Sequence, residues 1–261
     1  MNEYWEKAKV EDAALFFQQV SQACQSNAQA ATLLEEQNIL LVSTDEKCGI
    51  QALQRDAPDL PCTAQHSRKQ EFNYQRHGTQ SLIGGLEVAT GQVYVQLGDQ
   101  RTEQDYADFI SYIAEHTPQK YQLLIMADQL NTHKSATLVE LAAKLNKDEQ
   151  DLGKKGKYGI LKNMPSRMAY LETGGPRLRL CYTPKHCSWL NLIEVWFSQL
   201  TKRVLKWGNF ESKQDLQDKI LGYVDYYNEW LAQGFSWSAR SPEQVKDIVE
   251  KIKRYLTKLT G

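Results

Sequence analysis

Three acids in this sequence stand where a carboxylate has chemistry to do. Asp45 follows the aliphatic run Ile39-Leu40-Leu41-Val42-Ser43-Thr44, and Asp128 follows Tyr121-Gln122-Leu123-Leu124-Ile125-Met126-Ala127. Short apolar runs of this kind read as buried strands, and functional groups collect where the strands of such sheets end. Glu194 interrupts an apolar stretch of Leu190, Leu192, Ile193, Val195, Trp196 and Phe197, where an ionised carboxylate is costly unless a cation or donor compensates it. Hard divalent cations prefer carboxylate oxygens. Two such ions about 4 Å apart activate the attacking oxygen and stabilise the leaving one in phosphoryl transfer. Three acids from separate elements suit that task. Each alone has a plainer reading, the aspartates as turn or helix caps and Glu194 as one residue of an exposed helix face. Glu46 adjoins Asp45, but neighbours along a strand point in different directions, so it is left out of the set. His133 and His186 lie near the acids and read equally as a general base, a substrate contact or structural residues.

The elements that must position these acids are legible from periodicity and punctuation. A helix is expected over 10–36, with Ala13, Leu15, Phe16, Val20 and Ala23 near helical spacing. Residues 55–80 are polar and irregular, long for an idle connection. Two strand-like runs around Ala89-Thr90-Gly91-Gln92 predict a hairpin over 81–97. Thr102, with Asp105 three positions on, predicts a capped helix whose apolar face is Tyr106, Phe109, Ile110 and Ile113. Further helices are expected over 135–145, 189–206 (carrying Glu194), 212–231 and 242–259, and a strand over 178–182. Residues 146–177 form a charged, Gly-rich excursion with a short helix near 158–170. The order of elements implies an α/β chain, a mixed sheet with helices on its faces.

Composition bounds the function classes. The chain has 261 residues, 41% hydrophobic and 24% charged, with formal net charge −1. That is ordinary for a globular protein and unlike a strongly basic nucleic-acid-binding domain. No apolar run approaches the ~20 residues that span a bilayer, and the N-terminus lacks signal-peptide character, so a cytoplasmic location is expected. Five cysteines without a C-x-x-C pair argue against a disulfide framework or a zinc site. No nucleotide phosphate loop, dinucleotide fingerprint, H-E-x-x-H helix or nucleophile elbow occurs. Basic clusters occur at Arg68-Lys69 with Arg76-His77, at Lys154-Lys155-Gly156-Lys157, at Arg177 and Arg179, and at Lys202-Arg203 with Lys206. Each alone reads as a solvated loop or helix face, and together they are compatible with a phosphate-facing side. Aromatic residues crowd the C-terminal third. Most are expected in the core, with a minority free to stack on unpaired bases.

The segments Ser43-Thr44-Asp45-Glu46-Lys47, Ala127-Asp128-Gln129-Leu130-Asn131-Thr132-His133 and Tyr182-Thr183-Pro184-Lys185-His186 through Glu194 resemble the three acidic motifs of DDE transposases. The likeness is to the bacterial insertion-sequence branch of the mariner superfamily. His77-Gly78-Thr79, Gly84-Gly85-Leu86 and Phe210 through Tyr226-Tyr227-Asn228 look like that branch too. The resemblance implies a ribonuclease-H-like, five-stranded mixed sheet flanked by helices. Residues 37–240 would form the catalytic domain, residues 1–36 a helical lead-in and residues 241–261 a C-terminal helix. It implies Asp45, Asp128 and Glu194 as ligands of two Mg²⁺ or Mn²⁺ ions, cleavage of double-stranded DNA at transposon ends, and attack of the 3′ ends on target DNA.

The same resemblance implies a homodimer, in which residues 55–80 take the place of a loop that clasps the partner subunit. It places the protein in the bacterial cytoplasm beside the nucleoid. Two departures stand out. Asp128 and Glu194 are farther apart in sequence than is usual, the excess falling in 146–177. The helix-turn-helix module typical of the superfamily is not evident before the catalytic domain, so the expectation is either a truncated or split reading frame or a separate polypeptide that reads the terminal repeats. Competing readings are a non-catalytic, transposase-derived DNA-binding or assembly protein and a related metal-dependent nuclease.

Overall fold

The computed structural model describes residues 10–57, 62–67, 73–184 and 187–235. The expected helix over 242–259, Arg68-Lys69, His186, Trp237 and the side chains of Ala13, Leu15, Phe16 and Trp189 lie outside the described residues. The chain builds α1 (Val10–Ala28), α2 (Ala30–Gln37), β1 (Ile39–Arg55), β2 (Tyr74–Glu87), β3 (Val93–Gly98), α3 (Glu103–His116), β4 (Gln122–Ala127), α4 (Ala136–Asn146), α5 (Met164–Thr173), β5 (Leu178–Tyr182), α6 (Ile193–Leu200) and α7 (Lys213–Trp230).

The five strands form one mixed sheet in the order β3-β2-β1-β4-β5. The β1–β2 and β2–β3 pairs are antiparallel, and β1–β4 and β4–β5 are parallel. Alternation along each strand divides the core between the two faces. Leu41, Leu82, Leu86, Leu124 and Met126 pack with Trp196 and Phe197 of α6 and Leu216 and Ile220 of α7. Leu40, Val42, Ile83, Leu123 and Ile125 pack on the other face with Tyr106, Phe109, Ile110 and Ile113 of α3 and Leu138 of α4. The sheet is therefore a middle layer with helices on both sides, the mixed arrangement that the sequence predicts.

Local signals set several boundaries. The Thr102 side chain accepts from the Asp105 amide while Asp105 reaches back to the Thr102 amide, a complete capping box. Ser135 caps α4 and Ser212 caps α7. Other boundaries differ from expectation. The N-terminal helix breaks at Gln29, and Asn38 leaves α2 in the left-handed conformation that lets the chain turn into β1.

β1 does not stop at Asp45. Its parallel ladder with β4 ends at the Ser43–Met126 rung, but its antiparallel ladder with β2 runs on to Arg55 opposite Tyr74. Part of the region expected to be irregular is thus a two-stranded ribbon. Its bulges between Lys47 and Ile50 and between Gln51 and Leu53 hide the alternation. The helix expected over 189–206 is also interrupted. Ser188–Leu190 is a single 3₁₀ turn, Asn191 is extended, α6 begins at Ile193, and Thr201–Leu205 widens to π-type bonding.

Glycines let α6 approach the sheet. A Cβ at Gly84 would lie 2.8 Å from Cε1 of Phe197, and Gly84 is the rung opposite Asp45. The bare backbone at Gly84 lets the Phe197 ring lie against the sheet beside the first acid.

The 146–177 excursion contains α5 and ends in a residue that corrects the charge reading. Arg177 is buried, and its guanidinium donates to the carbonyls of Ala114, Thr117, Pro118 and Tyr121. These are the orphan acceptors at and just beyond the C-terminus of α3. Arg177 is a helix cap and does not face phosphate. The five cysteines are all free thiols: Cys24, Cys181 and Cys187 are buried, Cys48 and Cys62 exposed. None of the described helices is long and apolar enough to cross a membrane.

Candidate active site

Parallel pairing brings the first two acids together. Ser43 lies opposite Met126 on the last β1–β4 rung, so Asp45 and Asp128 each stand two residues beyond it. Both line one open cleft of about 330 Å³, completed by Gln129, Leu130, Thr183, Pro184, Cys187 and Ser188. Each carboxylate is held by the protein. Asp45 Oδ1 accepts from the Glu46 amide at 2.8 Å and Oδ2 from Asn191 Nδ2 at 3.1 Å. Asp128 Oδ1 accepts from the Leu130 amide at 2.8 Å and from His133 Nδ1 at 2.8 Å.

Glu194 is placed differently from the other two. The apolar run around it does not bury it: Leu190, Ile193, Trp196, Phe197 and Leu200 turn into the core, while Glu194 and Val195 face solvent. Glu194 is therefore not a buried charge, because its apolar neighbours occupy the opposite side of a helical turn. Glu194 sits in the first turn of α6, where the helix dipole favours a carboxylate. Its link to the cleft runs through Asn191. Asn191 Nδ2 bonds the Thr44 carbonyl (2.8 Å) as well as Asp45, Asn191 Oδ1 accepts from Ser43 Oγ, and Ser43 Oγ accepts from the Ile193 amide (3.2 Å). One buried amide thus ties the end of the aliphatic half of β1 to the start of α6.

The neighbourhood of Asp128 contains two residues whose role the sequence did not disclose. His133 is fully buried, with Nε2 3.2 Å from Glu46 Oε1, and the Glu46 side chain is only 2% exposed. Glu46 does point away from Asp45, as strand alternation requires. That other face is a buried polar pocket rather than solvent. A histidine five residues after a strand-end acid was the available signal; the glutamate's partner was invisible without the strand register.

Electrostatics follow from this packing. Burial lifts the Asp45 carboxyl to about 7, against the Glu46 amide bond and with help from the charges of Asp128 and Glu46. Burial works to raise Asp128 as well, but the His133 hydrogen bond and charge, the Leu130 amide and Lys134 outweigh it and leave Asp128 below the ordinary range. For His133, burial acts to lower the pKa, and bonds to Asp128 and Glu46 overcome it and push it up to about 9. Both ring nitrogens face carboxylate oxygens, so His133 has no free nitrogen with which to act as a general base.

Two carboxylates that repel across an open cleft suit a hard divalent cation, which takes one or two carboxylates and keeps water or phosphate in its remaining positions. The donor set of Asp45 and Asp128 fits such an ion. Among the described residues, no three His, Cys, Asp or Glu side chains stand together closely enough to hold a metal on their own. The cleft presents two carboxylates, with Glu194 on the adjoining helix start.

A mixed five-stranded sheet between helical layers, with two acids just past the last rung of its central parallel ladder, is a ribonuclease-H-like fold. The sequence profile of the DDE superfamily endonucleases matches residues 41–217, more than half of the chain, and the protein belongs to that family. Among solved structures it is similar to the Mos1 mariner paired-end complex with Mn, at TM-score 0.51 and 11% identity, over 90% of this chain and 62% of that one. It is also similar to a pre-cleavage Mos1 transpososome, at TM-score 0.50 and 12% identity, over 90% and 63% of the two chains. At these identities the likeness is one of fold, and the chain spans less than two thirds of the length of these two chains. No curated protein sequence matches it.

Proposed function

We propose that this chain is a transposase catalytic domain of the insertion-sequence branch, which cuts transposon-end DNA and joins the 3′ ends to target DNA. Asp45 and Asp128, with Glu194 as the third ligand, would hold two Mg²⁺ or Mn²⁺ ions. The observation that carries this reading is the placement of the Asp45 and Asp128 carboxylates in one cleft, each two residues past the last rung of the parallel β1–β4 ladder. Membership of the DDE endonuclease family and a fold shared with a paired-end complex and a transpososome support it. Glu194 enters the reading through Asn191, one turn before it and bonded to Asp45.

Bound in the cleft, divalent metal would polarise the scissile phosphate and activate the attacking oxygen. The chain's own contribution is positional. The Glu46 amide and Asn191 orient Asp45, while the Leu130 amide and His133 orient Asp128. In this reading double-stranded DNA is the partner, two copies act together with residues 55–80 clasping the neighbouring subunit, and a helix-turn-helix module reads the terminal repeats.

The test uses Asp45→Asn, Asp128→Asn and Glu194→Gln, with DNA carrying the inverted repeats that flank the gene and Mg²⁺ or Mn²⁺. Each variant is expected to lose roughly a hundredfold or more in nicking, at least what outer-shell partners of metal ligands lose. Unchanged cleavage in all three overturns the assignment. Glu194 lies outside the cleft lining, and this favours one competing reading, a non-catalytic DNA-binding derivative. Calorimetric titration that finds no metal binding, even with DNA present, selects that reading. Product analysis for strand-transfer joints separates a transposase from a nuclease that only hydrolyses.

A further inference from the structure

We propose that Glu46 and His133 form a buried clamp that fixes the Asp128 carboxylate, and its spacing from Asp45, for cation binding. Both are positioning residues. The inference rests on the assignment of Asp45 and Asp128 as ligands made above. The chain of contacts crosses from one acid-bearing segment to the other. Glu46 directly follows Asp45 in β1, its Oε1 lies 3.2 Å from His133 Nε2, and His133 Nδ1 lies 2.8 Å from Asp128 Oδ1. Thr132 Oγ1 also donates to Glu46 Oε1 at 3.4 Å.

The imidazole has little freedom to turn. The Tyr106 ring lies 4.2 Å from it, centroid to centroid, and Tyr106 OH is tied to Thr44 Oγ1 at 2.7 Å. Tyr182 OH donates to the His133 carbonyl at 2.7 Å. Burying such a chain is costly, and apolar residues of similar volume would be as stable or more so. What the polar chain supplies is direction. It occupies Oδ1 of Asp128 from behind, and no described residue donates to Oδ2. The clamp ends on a side chain that is 45% exposed in the cleft, while its other two members are 0% and 2% exposed. Outer-shell bonds of this kind orient ligating carboxylates, and losing them lowers metal affinity about 10–100-fold.

The experiment measures Mn²⁺ affinity by electron paramagnetic resonance, thermal melting without metal, and kcat and KM for DNA nicking at saturating Mn²⁺. Glu46→Ala and His133→Ala are expected to weaken Mn²⁺ binding by roughly 10–100-fold and to lower kcat while leaving KM for DNA in place. Glu46→Gln keeps an acceptor at Oε1 and is expected to recover most of the affinity lost in Glu46→Ala. Folded alanine variants that melt earlier yet bind Mn²⁺ like the wild type overturn the clamp, and so does a Glu46→Gln variant as weak as Glu46→Ala. If the alanine variants do not fold, His133→Gln carries the test. Its amide can reach one carboxylate but not both, and wild-type affinity in that variant overturns the proposal. Asp128→Asn is the control that separates the two levels. If it binds Mn²⁺ as tightly as the wild type, or the wild type binds none, the ligand assignment itself fails and the clamp falls with it.

Discussion

Asp45, Asp128 and Asn191 show how much of a residue's chemistry comes from partners far away in the chain. Asp45 is an unremarkable aspartate in sequence, yet its carboxyl is pushed up to about 7 by burial and by Asp128, which β4 brings beside it. Arg177 illustrates the reverse. Grouped with Arg179 it is compatible in sequence with a phosphate-facing side, but it is spent on four backbone carbonyls around the end of α3. Arg177→Met should therefore cost about 2–4 kcal/mol of stability, because it leaves buried acceptors unmade. DNA affinity should stay within about twofold, since a lost phosphate contact would cost more. Urea unfolding and DNA titration in the same buffer check both parts; weaker DNA binding with unchanged stability would restore the phosphate reading.

At the scale of elements, capping chemistry was legible where it was local. Thr102 with Asp105 and the starts of α4 and α7 were readable because the cap and its target lie within one turn. Strand β1 was cut short because its aliphatic run ends at Thr44. Its continuation needs only the β2 ladder, and antiparallel pairs tolerate a polar, half-exposed face. The start of α6 was misplaced because Leu190 and Leu192 match a helical pattern that Asn191 interrupts in order to reach Asp45. Gly84 is the point where the α6–β2 packing can be tested. Gly84→Ala should push Phe197 off the sheet and destabilise by about 1–3 kcal/mol. Because α6 carries Glu194, DNA nicking by the folded protein should fall as well. Thermal melting and nicking at equal folded fraction check this, and full activity would show that the position of α6 does not matter to catalysis.

For the whole molecule, a net charge of −1 conceals an uneven surface. Lys202, Arg203 and Lys206 are exposed just beyond α6, and Lys154, Lys155 and Lys157 are exposed in the excursion, with Lys155 paired to Glu103. Trp207 is 43% exposed beside the Lys206 ammonium. If DNA runs past the end of α6, the double variant Lys202→Ala with Arg203→Ala should weaken binding about equally for all sequences. The slope of log affinity against log salt should fall by about 2, the loss of two phosphate contacts. An unchanged slope would place the DNA elsewhere.

The sequence by itself determined the order of elements, the apolar faces and several helix caps, because these depend on periodicity and on neighbours within a turn. It also carried the family likeness, since the acidic motifs are contiguous. Only the tertiary structure decided that Asp45 and Asp128 share a cleft while Glu194 stands outside its lining, that Arg177 is buried, and that Glu46 and His133 meet behind Asp128. Those outcomes depend on strand register and on which side of a turn meets the core. Both are set by packing between segments distant in the chain, which local pattern does not encode.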